Sequence, residues 1–148
     1  MSSDFATGLR ISASGLSAQR MRMNTISSNI ANINTTRTPE GGPYRRKDVI
    51  VEAMPDARNF GELVTSPPND NLQRVQVTDV YVDQNAVDMR YEPDHPDANP
   101  EGYVAYPKIN LMEEMANMIQ ATRSYEANVS AIQASKDMAL GALEIGSR

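Results

Sequence analysis

The first third of the chain repeats its apolar positions at the seven-residue interval of a packed helix. Leu9, Leu16, Met23 and Ile30 recur every seven residues, and the interleaved positions hold Phe5, Ser12, Gln19, Ile26 and Ile33. Most of these nine residues are apolar, which is the seam pattern of a coiled coil. We therefore predict an N-terminal helix from about Asp4 that packs along this seam. Asn and Ser/Thr crowd the segment 24–36, so we expect the helix to end there.

The last third shows a second, longer pattern of the same kind. Its positions alternate in steps of four and three, at Leu111, Met115, Met118, Thr122, Tyr125, Val129, Ile132, Lys136, Ala139 and Leu143. Asn110 is suited to cap the start, and Glu113 and Glu114 lie where the helix dipole favours negative charge. A helix of this kind would extend over roughly 50 Å.

The middle of the chain has a different character from both ends. All nine prolines lie between Pro39 and Pro107, and proline breaks helices. Short alternating or β-branched runs at 48–54, 75–82, 86–91 and 102–106 predict strands separated by turn-rich segments. We therefore divide the chain into an N-terminal helix (1–36), a Pro-rich middle region with short strands (37–107) and a C-terminal helix (108–148).

These elements predict an α+β fold that is mainly α. The long terminal helices are expected to pair as an antiparallel coiled coil beside the small β-rich middle. The chain of 148 residues has no Trp, only two Phe and nine Met, so a large core is not expected. Methionine adapts to several packing partners, which suits surfaces that contact other molecules.

The residues offer no catalytic or metal site. His95 is the only histidine and stands in a Pro-rich loop, and the absence of Cys removes thiolate ligands and nucleophiles. Residues 97–102 begin like a calcium loop, but Lys108 occupies the position that requires a bidentate glutamate. We expect no enzyme activity and no cofactor.

Charge and hydropathy restrict the partners. The net charge is −5, and the basic run Arg45-Arg46-Lys47 is interpreted as a solvated strand start, so nucleic acid is not expected to bind. No apolar run is long enough to span a membrane. The first residues lack the features of a cleaved secretory signal.

Assembly explains the two amphipathic ends better than a simple intramolecular hairpin does. The apolar stripes are long, whereas the middle region is small and poor in apolar bulk. Pairing the two helices would bring the termini together and leave apolar surface for neighbouring subunits, and such surfaces usually mark interfaces.

Three segments resemble flagellar axial proteins. Residues 27–35, with Asn29, Asn32 and Asn34, resemble the Asn-rich end of the N-terminal helix of rod and hook proteins. Residues 113–128 are similar to their C-terminal helix motif, through Glu114, Arg123, Tyr125, Glu126 and Asn128. Residues 91–98, followed by Gly102-Tyr103-Val104 and Pro107, resemble the FlgC family of proximal rod proteins.

The resemblance implies a structural subunit of the flagellar basal-body rod. It implies export through the flagellar type III apparatus without a cleaved signal, and assembly in the periplasm into a helical drive shaft and export channel. The implied partners are further copies, other rod subunits, the rod base and the membrane ring.

We expect the helix-packing residues to face each other across the two seams. On one helix these are Leu9, Leu16, Met23 and Ile30, and on the other Met115, Met118, Tyr125, Val129 and Ile132. We further hypothesise that the asparagine amides satisfy backbone groups where the first helix ends and so set the angle of the middle region.

The sequence leaves two alternatives open. The chain could be another flagellar axial protein, or a soluble secreted adaptor built as a helical hairpin. Residues 55–74 resemble nothing in the family and are interpreted as a variable insertion.

Overall fold

In the order of the chain, the described residues form a long helix, four short strands and a second long helix. A computed structural model describes residues 2–55 and 73–146. The elements are α1 (Ser2–Ala31), β1 (Lys47–Pro55), β2 (Gln73–Val82), β3 (Val87–Tyr91), β4 (Tyr103–Pro107) and α2 (Leu111–Gly146). Most of the insertion at 55–74, namely residues 56–72, lies outside the described residues.

The ends of the helices follow from local side-chain chemistry. The Asn110 side-chain oxygen accepts hydrogen bonds from the backbone N–H groups of Met112 (3.0 Å) and Glu113 (3.5 Å), which caps α2 as predicted. At the end of α1, Asn32 Nδ2 donates to the carbonyl of Ser28 (2.8 Å). The same carbonyl also accepts from the backbone N–H of Asn32 (3.1 Å), so the backbone and the side chain of Asn32 both bond to the last turn of the helix.

The strands form two small sheets of two strands each. β1 pairs with β2, and β3 pairs antiparallel with β4 in a register that places Tyr91 opposite Tyr103 and Val87 opposite Pro107. All four strands lie within a few residues of the predicted segments. Gly102 turns the chain into β4 with a φ of +84°, and a Cβ there would approach the Tyr91 ring to 2.8 Å.

The chain divides into two compact units. One contains Met1–Arg20, Val51–Thr78 and Thr122–Arg148; the other contains Met21–Ile50 and Asp79–Ala121. Each unit thus draws on both helices and on the middle, and the division into three consecutive regions stays a prediction. The buried apolar side chains of the described residues are few: Ala18, Ile26, Tyr44, Val49, Ala86, Val104 and Ala121.

Candidate functional site

Asn29 is the most buried polar residue among those of α1 whose side chains the structure describes, and it is 1% exposed. Its Nδ2 donates to the carbonyl of Lys47 (2.8 Å) and to Glu114 Oε2 (3.2 Å). Its Oδ1 accepts from the backbone N–H of Lys47 (3.0 Å) and from the hydroxyl of Tyr44 (3.0 Å). Because an amide has two donors and two acceptor positions, the side chain is fully satisfied.

The amide of Asn29 therefore pairs with Lys47 in the way that a neighbouring strand would. Both backbone groups of Lys47, the first residue of β1, bond to this single side chain. The contact attaches the start of β1 to the end of α1. Without it, two backbone groups beside a buried side chain would need other partners.

Tyr44 extends the same hydrogen-bonded set. Its single hydroxyl proton goes to Asn29, so the Ser28 hydroxyl, 3.1 Å away, donates to the Tyr44 oxygen. The backbone N–H of Tyr44 also donates to the carbonyl of Thr35 (3.0 Å). The side chain and the backbone of Tyr44 thus both bond to residues at the end of α1 and in the turn after it.

A buried ion pair completes the set from the first turn of α2. Glu114 is 1% exposed, and its Oε1 accepts from Arg46 Nε at 2.8 Å. Burial alone lowers the pKa of Arg46, but the hydrogen bond to Glu114 and the charges of Glu114, Asp48 and Glu113 outweigh it and raise the pKa above its ordinary value. Arg46 therefore stays cationic, and the buried carboxylate keeps a charged partner.

We call this set the polar junction; it consists of Ser28, Asn29, Tyr44, Arg46, Lys47 and Glu114. All its members lie in the unit formed by Met21–Ile50 and Asp79–Ala121. It connects the end of α1, the start of β1 and the start of α2. A second tie in the same unit joins Thr36 Oγ1 to Asp97 Oδ2 (2.8 Å).

The chemistry of the polar junction is that of a structural connection. Its amide, hydroxyl and carboxylate groups bond to one another and to the backbone. Among the residues that the structure describes, no group of three His, Cys, Asp or Glu side chains could hold a metal ion. No helix in the described ranges is long and apolar enough to cross a membrane.

The other unit contains a close approach between α1 and α2. A Cβ built on Gly15 would lie 3.0 Å from Asn128 Nδ2, so the missing side chain of Gly15 leaves room for this asparagine. One residue earlier, the Ser14 hydroxyl accepts from the backbone N–H of Val75 in β2 (3.1 Å).

The residues predicted for helix packing are unequally buried. Leu9, Leu16, Met23, Ile30, Met118, Tyr125, Val129 and Ile132 are half-buried, and Met115 is exposed. The deepest helix positions instead hold Ala18, Thr25, Ile26, Asn29, Glu114 and Ala121. That the predicted residues face one another across the seams stays a prediction.

The residues of the family motifs fall at different places. Asn29 and Glu114 bond to each other in the polar junction, and Asn128 lies beside Gly15. Asn32 ends α1, whereas Asn34, Arg123 and Glu126 are exposed and Tyr125 is half-buried. The effect of the asparagines on the angle of the middle region stays a prediction.

Sequence reasoning missed Tyr44 and misinterpreted Arg46. The interpretation of Arg46 as solvated is wrong, because the buried carboxylate of Glu114 binds its guanidinium. The sequence did contain a signal for the deeply buried helix positions. Ala18 and Thr25 are seven residues apart, and so are Glu114, Ala121 and Asn128.

Comparison with known proteins relates both ends and the full length to one family. A model described as "Flagella basal body rod protein" matches residues 9–37, and "Flagellar basal body rod FlgEFG protein C-terminal" matches residues 101–145. These two matches contain the end of α1 and nearly all of α2.

Relatives in distant bacteria match almost end to end. The chain is 40% identical to the flagellar basal-body rod protein FlgC of Borreliella burgdorferi, with 94% of this chain and 95% of that protein covered. Identity to FlgC of Bacillus subtilis is 41%, with 93% and 95% covered. Identity to FlgC of Escherichia coli O6:H1 is 38%, with 92% and 93% covered. The chain therefore belongs to the FlgC family of flagellar basal-body rod proteins.

Proposed function

We propose that this chain is a structural subunit of the proximal rod of the bacterial flagellar basal body. The observation that carries the proposal is the near end-to-end match to proteins named flagellar basal-body rod protein FlgC. Those names describe a structural role and no enzyme. The polar junction agrees with that role, since its groups are occupied in connecting segments.

The proposal includes pairing of α1 and α2 as an antiparallel coiled coil. Two contacts support it, one within each unit: Gly15 lies beside Asn128, and Asn29 bonds to Glu114. On α1, Asn29 lies two heptads after Gly15. On α2, Glu114, the partner of Asn29, lies two heptads before Asn128, the neighbour of Gly15. Antiparallel helices with a shared heptad repeat have this register.

A row of exposed apolar side chains on α2 supports assembly. Met112 is 74% exposed, and Met115 and Ile119 are about half exposed. They follow one another at the spacing of one helix face, which differs from the face that carries Glu114 and Ala121. Apolar rows of this kind mark protein interfaces, and here the proposed occupants are helices of neighbouring rod subunits.

The proposed route of export and assembly follows from this assignment. It crosses the cell envelope through the flagellar type III export apparatus and assembles helically in the periplasm. There it joins the rod base and membrane ring to further rod subunits, transmits torque and surrounds the export channel.

The double variant Met115→Glu/Ile119→Glu tests the proposal. In cells that lack the wild-type chain, this variant should abolish swimming and leave basal bodies without a complete rod, because a carboxylate buried at an interface without a partner is costly. The measurements are swimming on soft agar and electron microscopy of purified basal bodies.

Gln120→Glu is the matched control, since it places the same carboxylate on the neighbouring exposed position of α2. It should leave swimming intact. The proposal fails if cells lacking the chain still build complete rods, or if the double variant assembles as well as the control.

A further inference from the structure

The hairpin of β3 and β4 exposes the apolar side of its tip. Met89 and Tyr91 alternate onto one face of β3, and Tyr103 lies opposite Tyr91 in the antiparallel register. Tyr91 is 65% exposed, Met89 53% and Tyr103 41%. The face that normally meets solvent is polar in such sheets, so this exposed set, which we call the hairpin patch, is unusual.

Carboxylates lie close to the hairpin patch in sequence. Glu92, which accepts from the Tyr106 hydroxyl, follows Tyr91 directly. The exposed Asp94 lies a few residues further on, and the exposed Glu101 precedes Tyr103 by two residues. Between Val87 and Pro107 there are five acidic residues against one arginine. A partner for this patch must therefore bring apolar surface together with positive charge.

The chain itself presents a surface of that kind. On α1, Met21 is 43% exposed and stands between Arg20, which is exposed, and Arg22, which is half-buried. Successive positions of a helix point about 100° apart, so Arg20 and Arg22 flank Met21 on its two sides. Their long side chains can bring cations beside the carboxylates while Met21 contacts the tyrosines. Tyr, Met and Arg are the residues that interfaces favour, and arginine also binds tyrosine rings through cation–π contacts.

We infer that the hairpin patch of one copy binds the Arg20–Arg22 segment of a second copy in the assembled rod. The two surfaces differ, so the contact is heterologous and can repeat from copy to copy without closing on itself. This suits a helical array, and the inference rests on the proposed function while adding a specific neighbour contact to it. The exposed row of α2 is a separate surface.

Cysteine cross-linking between two differently tagged chains tests this contact. The chain has no Cys, so one chain carries Arg20→Cys and the other Glu101→Cys, and both are expressed together in cells that lack the wild-type chain. Mild oxidation of purified basal bodies should produce a disulfide-linked dimer with both tags, at twice the mass of the chain. Neither single variant expressed alone should produce it.

Asp79→Cys replaces Glu101→Cys in the matched control, since Asp79 is an exposed acidic residue on β2, outside the hairpin patch. This pairing should produce no dimer. Adding Tyr91→Ala to the Glu101→Cys chain should lower the dimer yield about tenfold, because buried tyrosines dominate interface affinity.

Three results would overturn the inference. They are absence of the dimer in basal bodies that otherwise assemble normally, an equal yield from the Asp79→Cys control, and a disulfide from Glu101→Cys to a different protein. Each of these leaves the proposed function standing. Basal bodies that never contain the wild-type chain would overturn the proposed function as well.

Discussion

Replacing Asn29 with aspartate should lower the free energy of unfolding by about 4 kcal/mol, although the two side chains have the same shape. Aspartate cannot donate to the Lys47 carbonyl, and its carboxylate would stand 3.2 Å from the carboxylate of Glu114. Two buried carboxylates at that distance repel each other strongly. Urea unfolding of the purified chain, followed by circular dichroism, measures the loss.

Asn24→Asp is the control for this prediction, because Asn24 is exposed on the same helix; it should change stability by less than about 0.5 kcal/mol. The double variant Asn29→Asp/Glu114→Gln should recover part of the loss, since glutamine restores a donor opposite the aspartate. Equal stability of Asn29→Asp and Asn24→Asp would show that the polar junction does not hold the fold. Incorporation of each variant into basal bodies provides a second readout.

Replacing Glu114 with alanine should cost about 3 kcal/mol, because it leaves Arg46 Nε without its acceptor and removes one of the acceptors of Asn29 Nδ2, which keeps only the Lys47 carbonyl. Glu113→Ala is the matched control, since this neighbouring glutamate is exposed in the same first turn. The control should stay within about 0.5 kcal/mol of the wild type.

A double-mutant cycle with Arg46→Met identifies the cause. If the cost of Glu114→Ala comes from the unpaired guanidinium, then adding Arg46→Met should return stability, since an apolar replacement of a buried pair is often neutral. Additive losses in the double variant would instead show that Glu114 acts independently of Arg46.

The elements of the fold were predictable because they depend on neighbours in sequence. Prolines confined to 39–107 delimited the helices, Asn110 marked the start of α2, and alternation located the strands. The polar junction was not predictable in this way. Asn29 bonds to Lys47, 18 positions away, and to Glu114, 85 positions away, and no local pattern reveals such pairs.

How deeply each residue of the helices is buried was also only partly predictable. Large apolar residues such as Leu16 and Met23 suggested the seam, yet Ala18 and Thr25 are buried more deeply. Periodicity predicts which residues share a helix face, but the burial of each residue depends on neighbours that are distant in sequence. Asn128, which lies beside Gly15, is one such neighbour.

Burying the groups of the polar junction costs desolvation free energy, but it also restricts how the segments can pack. An apolar replacement of equal volume often stabilises a fold as well as an ion pair does. Polar groups, however, bond only in one register, and a single buried asparagine is known to set the register of a coiled coil. The hydrogen bond between Asn29 and Glu114 therefore joins the end of α1 to the start of α2 in one defined register.

A density map of the assembled basal body, with this chain traced in it, tests the central claim most directly. We expect copies of the chain in the proximal rod, with α1 and α2 antiparallel, Gly15 beside Asn128 and Asn29 bonded to Glu114. Absence of the chain from the rod, or terminal helices that do not contact each other within one subunit, would contradict it.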